Sequence, residues 1–391
     1  MINYDNILSE RCKGLKPSGI RRFFDIASTM ENVISLGIGE PDFTTPWAIR
    51  KTAINVLEKK KTVYTANAGL HELREVISGY ICSRTAVKYN PDNEIIVTVG
   101  GSEAIDLAIR ALVNPGDEVL VVEPSFVCYQ PMVALTGGVP VPIPTFAENN
   151  FRLTAEALKE RITDKTKLLI LPYPNNPTGA IMERGDLEAI AEVLRGTDII
   201  VLTDEIYAEL TYGGNKHFSI IQLEDMRERT LYVNGFSKAF AMTGWRLGYL
   251  AGPSELVKRM LIIHQYAIMC SPTVSQWAAI EAMTSCDGEV KKMVAEYDVR
   301  RRFLVDAFNR IGLDCFEPKG AFYVFPCIKS TGLSSEEFCE RLLFEHNVAV
   351  VPGEAFGESG NGYIRVSYAY SLKHLMEALR RIEEFVNDLK K

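Results

Sequence analysis

Short apolar runs rich in valine, isoleucine and leucine recur at Glu94–Val99, Glu118–Val122, Lys167–Leu171, Ile199–Thr203, Thr230–Val233 and Leu247–Ala251. They are continuous rather than alternating, the pattern expected of strands covered on both faces. Helix-like segments such as Ser102–Leu112 and Glu183–Arg195 lie between several of them. The spacing therefore predicts βαβ units and a mostly parallel sheet between two helical layers, an α/β three-layer sandwich. In such sheets ligands bind beyond the carboxyl ends of the strands.

Past Ser285 the pattern changes. A charged amphipathic helix is predicted over Glu289–Ile311, then short strands near Phe322–Phe325, Val348–Val351 and Tyr363–Val366, and a terminal helix from Leu372. This reads as a smaller α+β domain over 286–391. Residues 46–285 form the large domain, and 1–45, without a strong period, form an arm.

The length of 391 residues suits two domains better than one small core. The net charge of -7 is spread along the chain, which argues against a nucleic-acid footprint. No apolar run reaches membrane-spanning length and the first ten residues lack an apolar signal core, so a cytoplasmic protein is expected. The eight cysteines include no Cys-x-x-Cys pair and the five histidines are dispersed, so reduced thiols and no catalytic metal are expected.

Gly235-Phe236-Ser237-Lys238-Ala239-Phe240, continuing to Thr243-Gly244-Trp245-Arg246-Leu247-Gly248, joins one lysine to small hydrogen-bonding neighbours and an arginine. A desolvated lysine crowded by another cation forms Schiff bases, and a guanidinium can hold phosphate oxygens bidentately. Taken alone, the pair also reads as a surface lysine and a structural arginine. Val99-Gly100-Gly101-Ser102-Glu103 sits between a strand and a helix, where glycines admit close approach and free amides attract an anion. Asp204, in Thr203-Asp204-Glu205-Ile206-Tyr207, ends a predicted strand, and a turn-capping acid is the competing reading. Pro174-Asn175-Asn176-Pro177-Thr178-Gly179 is a turn by composition.

Together these segments resemble, in order and over nearly the whole chain, the pyridoxal-phosphate-dependent aminotransferases of fold type I, class I/II. The resemblance is to the prokaryotic aspartate and aromatic branch. It implies that Lys238 carries pyridoxal 5'-phosphate and shuttles a proton, and that Asp204 pairs with the pyridine nitrogen. Tyr207 and Asn176 would face the ring oxygen. Gly101, Ser102, Ser237 and Arg246 would form the phosphate cup, with Tyr64 lent by the neighbouring subunit of a homodimer with shared sites. Phe126, in Glu123-Pro124-Ser125-Phe126-Val127-Cys128-Tyr129, would stack on the ring. Arg365, in Tyr363-Ile364-Arg365-Val366-Ser367, would grip the substrate α-carboxylate with Asn176 and the backbone at Gly39, in Leu36-Gly37-Ile38-Gly39-Glu40-Pro41-Asp42-Phe43.

The implied reaction moves an amino group between an L-amino acid and a 2-oxo acid in ping-pong fashion. Many bacterial aspartate enzymes of this branch carry a lysine where Ser102 stands, and relatives often carry a serine where Gly235 stands. The first departure favours aromatic or broad specificity over aspartate or alanine. A carbon–sulfur β-lyase is the alternative chemistry. A cofactor-binding regulatory module ranks last, because no basic helical extension precedes the enzyme-like segments.

Overall fold

The computed structural model describes residues 2–15, 17, 19, 26 and 29–390. After the short strand β1 (Ile34–Ser35), the main sheet is built from β2 (Ile95–Thr98), β3 (Glu118–Glu123), β4 (Val139–Pro144), β5 (Thr166–Leu171), β6 (Ile200–Asp204), β7 (Thr230–Gly235) and β8 (Gly248–Ala251). Their order is β2-β8-β7-β6-β5-β3-β4. Neighbours pair parallel from β7 through to β4, whereas β8 is antiparallel to both β7 and β2. The carboxyl ends of β2, β3, β5, β6 and β7 therefore share one side of the sheet, and so does the amino end of β8.

Side chains alternate across this sheet, which explains its unbroken apolar runs. Leu168 and Ile170 of β5 pack with Val119, Val121 and Leu202 beneath the Gly100–Leu112, Tyr129–Thr136 and Ser254–Ala267 helices. Leu169 and Leu171 face the other way, toward Leu158, Leu187, Ile190 and Leu194 of the Ala155–Arg161 and Arg184–Leu194 helices. Each such leucine contributes about 1.5–3 kcal/mol by leaving water. The outcome is the three-layer α/β sandwich with a mostly parallel centre.

The apolar pattern predicts six of these seven strands and misses β4. Val139-Pro140-Val141-Pro142-Ile143-Pro144 has a proline at every second position, which removes ladder donors and demotes a strand. The structure accommodates it at the edge. Val139 donates its N–H to Asp117 O and Thr145 donates to Glu123 O, so the period of two directs the odd-numbered N–H groups at β3. The prolines then fall on the outer side, where no ladder bond is lost.

Beyond the Asp287–Ile311 helix lie β9 (Tyr323–Val324), β10 (Val348–Ala349), β11 (Val351–Pro352) and β12 (Ile364–Ser367). β11, β12 and β9 form an antiparallel sheet, and β1 pairs parallel with β10. The β1–β10 pair is a two-stranded sheet of its own, and the segment just after β1 is tied to β12, where Ser367 donates its N–H to Leu36 O. Arg11, by contrast, reaches the main sheet's helices by donating to Leu135 O. The Gly37–Phe43 loop is tied to the long helix, where Nη1 of the buried Arg300 donates to both Asp42 oxygens at 2.9 and 2.8 Å. Among the described residues no helix is long and apolar enough to cross a membrane.

Candidate active site

A cavity of about 1030 Å³ opens where the strand ends converge. Five strands deliver residues to its wall from their carboxyl ends: Gly101 and Ser102 after β2, Phe126 and Tyr129 after β3, Asn176 after β5, Asp204 and Tyr207 after β6, Ser237 and Lys238 after β7. The reversed strand β8 brings Arg246 to the same place from its amino end. Arg365 and Tyr323 enter from β12 and β9, and Gly39 from the loop after β1.

Lys238 is held by its neighbours, since Phe236, Ala239 and Phe240 are buried in the core. Its Nζ donates to Gly39 O at 2.5 Å. Burial, followed by the positive charge of Arg365, lowers its pKa from 10.5 to about 8, with Arg246 acting in the same sense and Glu40 and Asp204 opposing. A lysine so placed is neutral far more often than one on the surface.

Asp204 is 7 % exposed. Its Oδ2 accepts from the Tyr129 hydroxyl at 2.8 Å and its Oδ1 accepts from the Ile206 N–H at 3.2 Å. Burial pushes its carboxyl up, and the bond from Tyr129 works against that. The adjacent acid has another fate: Glu205 accepts from Ser219 and Thr203 and contacts His217, away from the cavity. The turn after β5 divides its asparagines in the same way. Asn175 Oδ1 accepts from the N–H and hydroxyl of Thr178, while Asn176 lines the cavity and its Oδ1 accepts from Arg365.

Arg365 is 2 % exposed. Nη1 donates to Asn176 Oδ1 at 2.9 Å, Nη2 donates to Gly37 O, and Nε has no partner. A buried guanidinium with an unspent donor beside a cavity is a site for an anion, since leaving it unpaired is costly. Burial depresses its pKa.

The other end of the cavity is shaped by glycine. A Cβ on Gly100, which has φ +77°, would stand 2.6 Å from Arg246 Nη2, and one on Gly248 would stand 2.6 Å from the Gly100 carbonyl carbon. The Arg246 guanidinium therefore lies against the start of the Gly100–Leu112 helix, where free N–H groups and the helix dipole favour an anion. Gly248→Ala is expected to cost about 1–3 kcal/mol through this backbone clash. A thermal melt unchanged from the wild type would refute that expectation.

Phe126, half-buried, meets Tyr129 edge-on with centroids 6.0 Å apart. Tyr64 is 80 % exposed and is absent from this wall. Two wall residues, Tyr129 and Tyr323, carry hydrogen bonds that the sequence reading did not anticipate. Tyr129 had a signal, as the end of the Phe126 segment. Tyr323 had none beyond a strand pattern.

An amide-lined turn with an arginine at one end, a buried acid in the middle and a low-pKa lysine beside it fit a phosphorylated heterocyclic aldehyde. The fold and this arrangement define a lysine-centred α/β enzyme for amino compounds. The chain matches the family "Aminotransferase class I and II" over residues 31–382 and belongs to it. It is therefore an enzyme of amino-group transfer, in a family that works with pyridoxal phosphate. It is 54% identical over 380 residues to the Bacillus subtilis (strain 168) protein YugH, covering 97% of this chain and 98% of that one. It is 46% identical to an aspartate aminotransferase of Pyrococcus abyssi, covering 98% and 99%. The crystal structure of an aromatic aminotransferase from Pyrococcus horikoshii OT3 superposes with a TM-score of 0.90 at 44% identity, covering 95% and 99%.

Proposed function

We propose that this enzyme uses pyridoxal 5'-phosphate to transfer amino groups to 2-oxo acids from L-amino acids, with aromatic or broad specificity. When bound, the cofactor supplies an electron sink for the substrate's Cα electrons and a carrier for the amino group. Lys238 anchors it and, as a neutral amine, takes the proton from substrate Cα. Asp204, steadied by Tyr129, would hold a positive charge at the ring nitrogen. Tyr207 would donate to the ring oxygen, with Asn176 beside it. Gly101, Ser102, Ser237 and Arg246 would bind the phosphate, and Phe126 would cover the ring face. Arg365 grips the α-carboxylate through its unspent N–H groups and so orients Cα–H, helped by Asn176 and the Gly39 backbone.

One observation carries the substrate preference. Among the described residues the cations lining the cavity are Lys238, Arg246 and Arg365, each with a role above, and position 102 holds a serine. Among those residues no further cation of the wall remains for the distal carboxylate of aspartate. The aspartate reading draws its support from the Pyrococcus abyssi relative's name.

The exposure of Tyr64, together with Val63 and Tyr266, supports a homodimer in which Tyr64 completes the partner's phosphate cup. Separate sheets within 95–251 and 323–367 support a large domain over 46–285 and a small one over 286–391, with 1–45 as the arm. Eight free thiols support a cytoplasmic setting.

The half-reaction is the test. Purified yellow enzyme mixed in a stopped-flow instrument with phenylalanine, without acceptor, is expected to bleach at least about tenfold faster than with aspartate, the discrimination of roughly 1.4 kcal/mol that one missing charge contact makes. Ser102→Lys should narrow that gap. Faster bleaching with aspartate would reverse the substrate assignment, and no bleaching with any amino acid would remove the reaction itself.

A further inference from the structure

Tyr323 touches more of this site than any role above requires. It is 1 % exposed, and its position follows from strand register. Tyr323 of β9 lies opposite Ser367 of β12, and Ser367 and Arg365 are two residues apart on one face of that strand. Tyr323 and Arg365 are thus diagonal neighbours, close enough for an aromatic ring to reach a guanidinium. The Arg365 guanidinium carbon lies 4.5 Å from the Tyr323 ring centroid and 4.7 Å from that of Phe356. Two rings hold one planar cation.

The far end of the same side chain does something else. Its hydroxyl is 2.8 Å from the Tyr207 hydroxyl, and the two rings meet edge to face with centroids 5.9 Å apart. It also presses on the Gly37–Phe43 loop, where a Cβ on Gly39 would stand 2.4 Å from the Tyr323 oxygen. One residue therefore contacts the carboxylate-binding arginine with its face and the ring-facing tyrosine with its tip.

We propose that Tyr323 is a positioning residue with two separable tasks: its ring holds Arg365 in the plane that receives the substrate carboxylate, and its hydroxyl strengthens Tyr207 as a donor. This rests on the pyridoxal-phosphate reading above. If Tyr207 spends its proton on the cofactor's ring oxygen, then Tyr323 is the donor within the tyrosine pair. A hydroxyl that accepts one bond donates a stronger one. That stronger bond steadies negative charge on the ring oxygen, so the neighbouring nitrogen loses its proton at a lower pH. Arg365, Asp204 and Lys238 are the charged groups facing the pair, with Glu40 and Arg246 beyond Lys238.

Two substitutions separate the tasks. Tyr323→Phe keeps the ring and every charged neighbour but removes the hydroxyl. It should raise the pH midpoint of the bound cofactor's colour change by about 0.3–0.6 unit, while the dissociation constant of an unreactive carboxylate, 3-phenylpropionate, stays within about twofold. Tyr323→Leu removes the ring and should weaken 3-phenylpropionate about tenfold by losing the cation–ring contact. Both are read by absorption titration of the holoenzyme. A Tyr323→Phe midpoint equal to that of the wild type overturns the hydroxyl task even if the leucine variant does not fold. Weakened carboxylate binding in Tyr323→Phe equal to that in Tyr323→Leu overturns the separation. A wild-type protein with no pH-dependent colour would instead overturn the cofactor reading.

Discussion

Lys238→Ala is expected to lower the rate of the amino-acid half-reaction by about 10⁴-fold or more. A positioned acid–base group alone accounts for roughly 10²–10⁴, and in the proposed function this lysine is also the covalent anchor. Neither Arg246 nor Arg365 can substitute, because a guanidinium does not give up its proton near neutrality. The depressed pKa of about 8 gives the prediction a second readout. Cofactor-free wild-type protein should combine with pyridoxal 5'-phosphate at a rate that rises with pH and is half-maximal near 8, not near 10.5. The buried ammonium also costs stability. Because the folded pKa lies below the unfolded one, that cost is full below pH 8 and is relieved as pH rises toward 10.5. Lys238→Ala should therefore fold at least as well as the wild type at neutral pH while losing its activity. An alanine variant within tenfold of wild-type turnover would sink the assignment.

Arg365→Leu is the second large effect. Charge-assisted hydrogen bonds to a carboxylate contribute about 1.5–3 kcal/mol each. Losing a pair should lower kcat/KM for an amino acid by roughly 10²–10⁴-fold. The loss should appear in both constants, since the proposed grip would both bind the substrate and orient its Cα–H bond. Arg365→Lys should recover little: an ammonium cannot reproduce a planar fork, nor lie flat between Tyr323 and Phe356. The decisive comparison uses a substrate amine without a carboxylate, whose slow reaction should change little in the variant. An equal loss with that amine would mean that Arg365 supports the fold and not the carboxylate.

Much of this architecture was legible because burial on both faces writes itself into sequence as unbroken apolar runs. β5 and β6 could be read off directly, and their carboxyl ends located Asn176, Asp204 and Tyr207 on one side of a sheet. What periodicity could not separate were adjacent polar residues of like chemistry. Asp204 and Glu205 differ by which way a strand end turns, as do Asn175 and Asn176; the motif resemblance singles out Asp204 and Asn176, and the fold turns those members of each pair to the cavity. Tyr323 was hidden for a different reason. Its importance comes from strand register, through Ser367 and Arg365, some forty residues away, and from an encounter with Tyr207 more than a hundred residues away. β4 failed for a local reason, since prolines that would break a central strand are harmless at an edge.

Those prolines have a bearing on the molecule's behaviour in a crowded solution. A sheet grows, or fuses with another, by recruiting a foreign strand onto an open margin that offers donors and acceptors in alternation. The outer margin of β4 presents carbonyls without their matching N–H groups, because Pro140, Pro142 and Pro144 occupy the positions that would supply them. An incoming strand would find half of its partners missing. The broad parallel sheet is thus sealed on this flank by composition alone, and fibril-like stacking or strand exchange between copies has no foothold there.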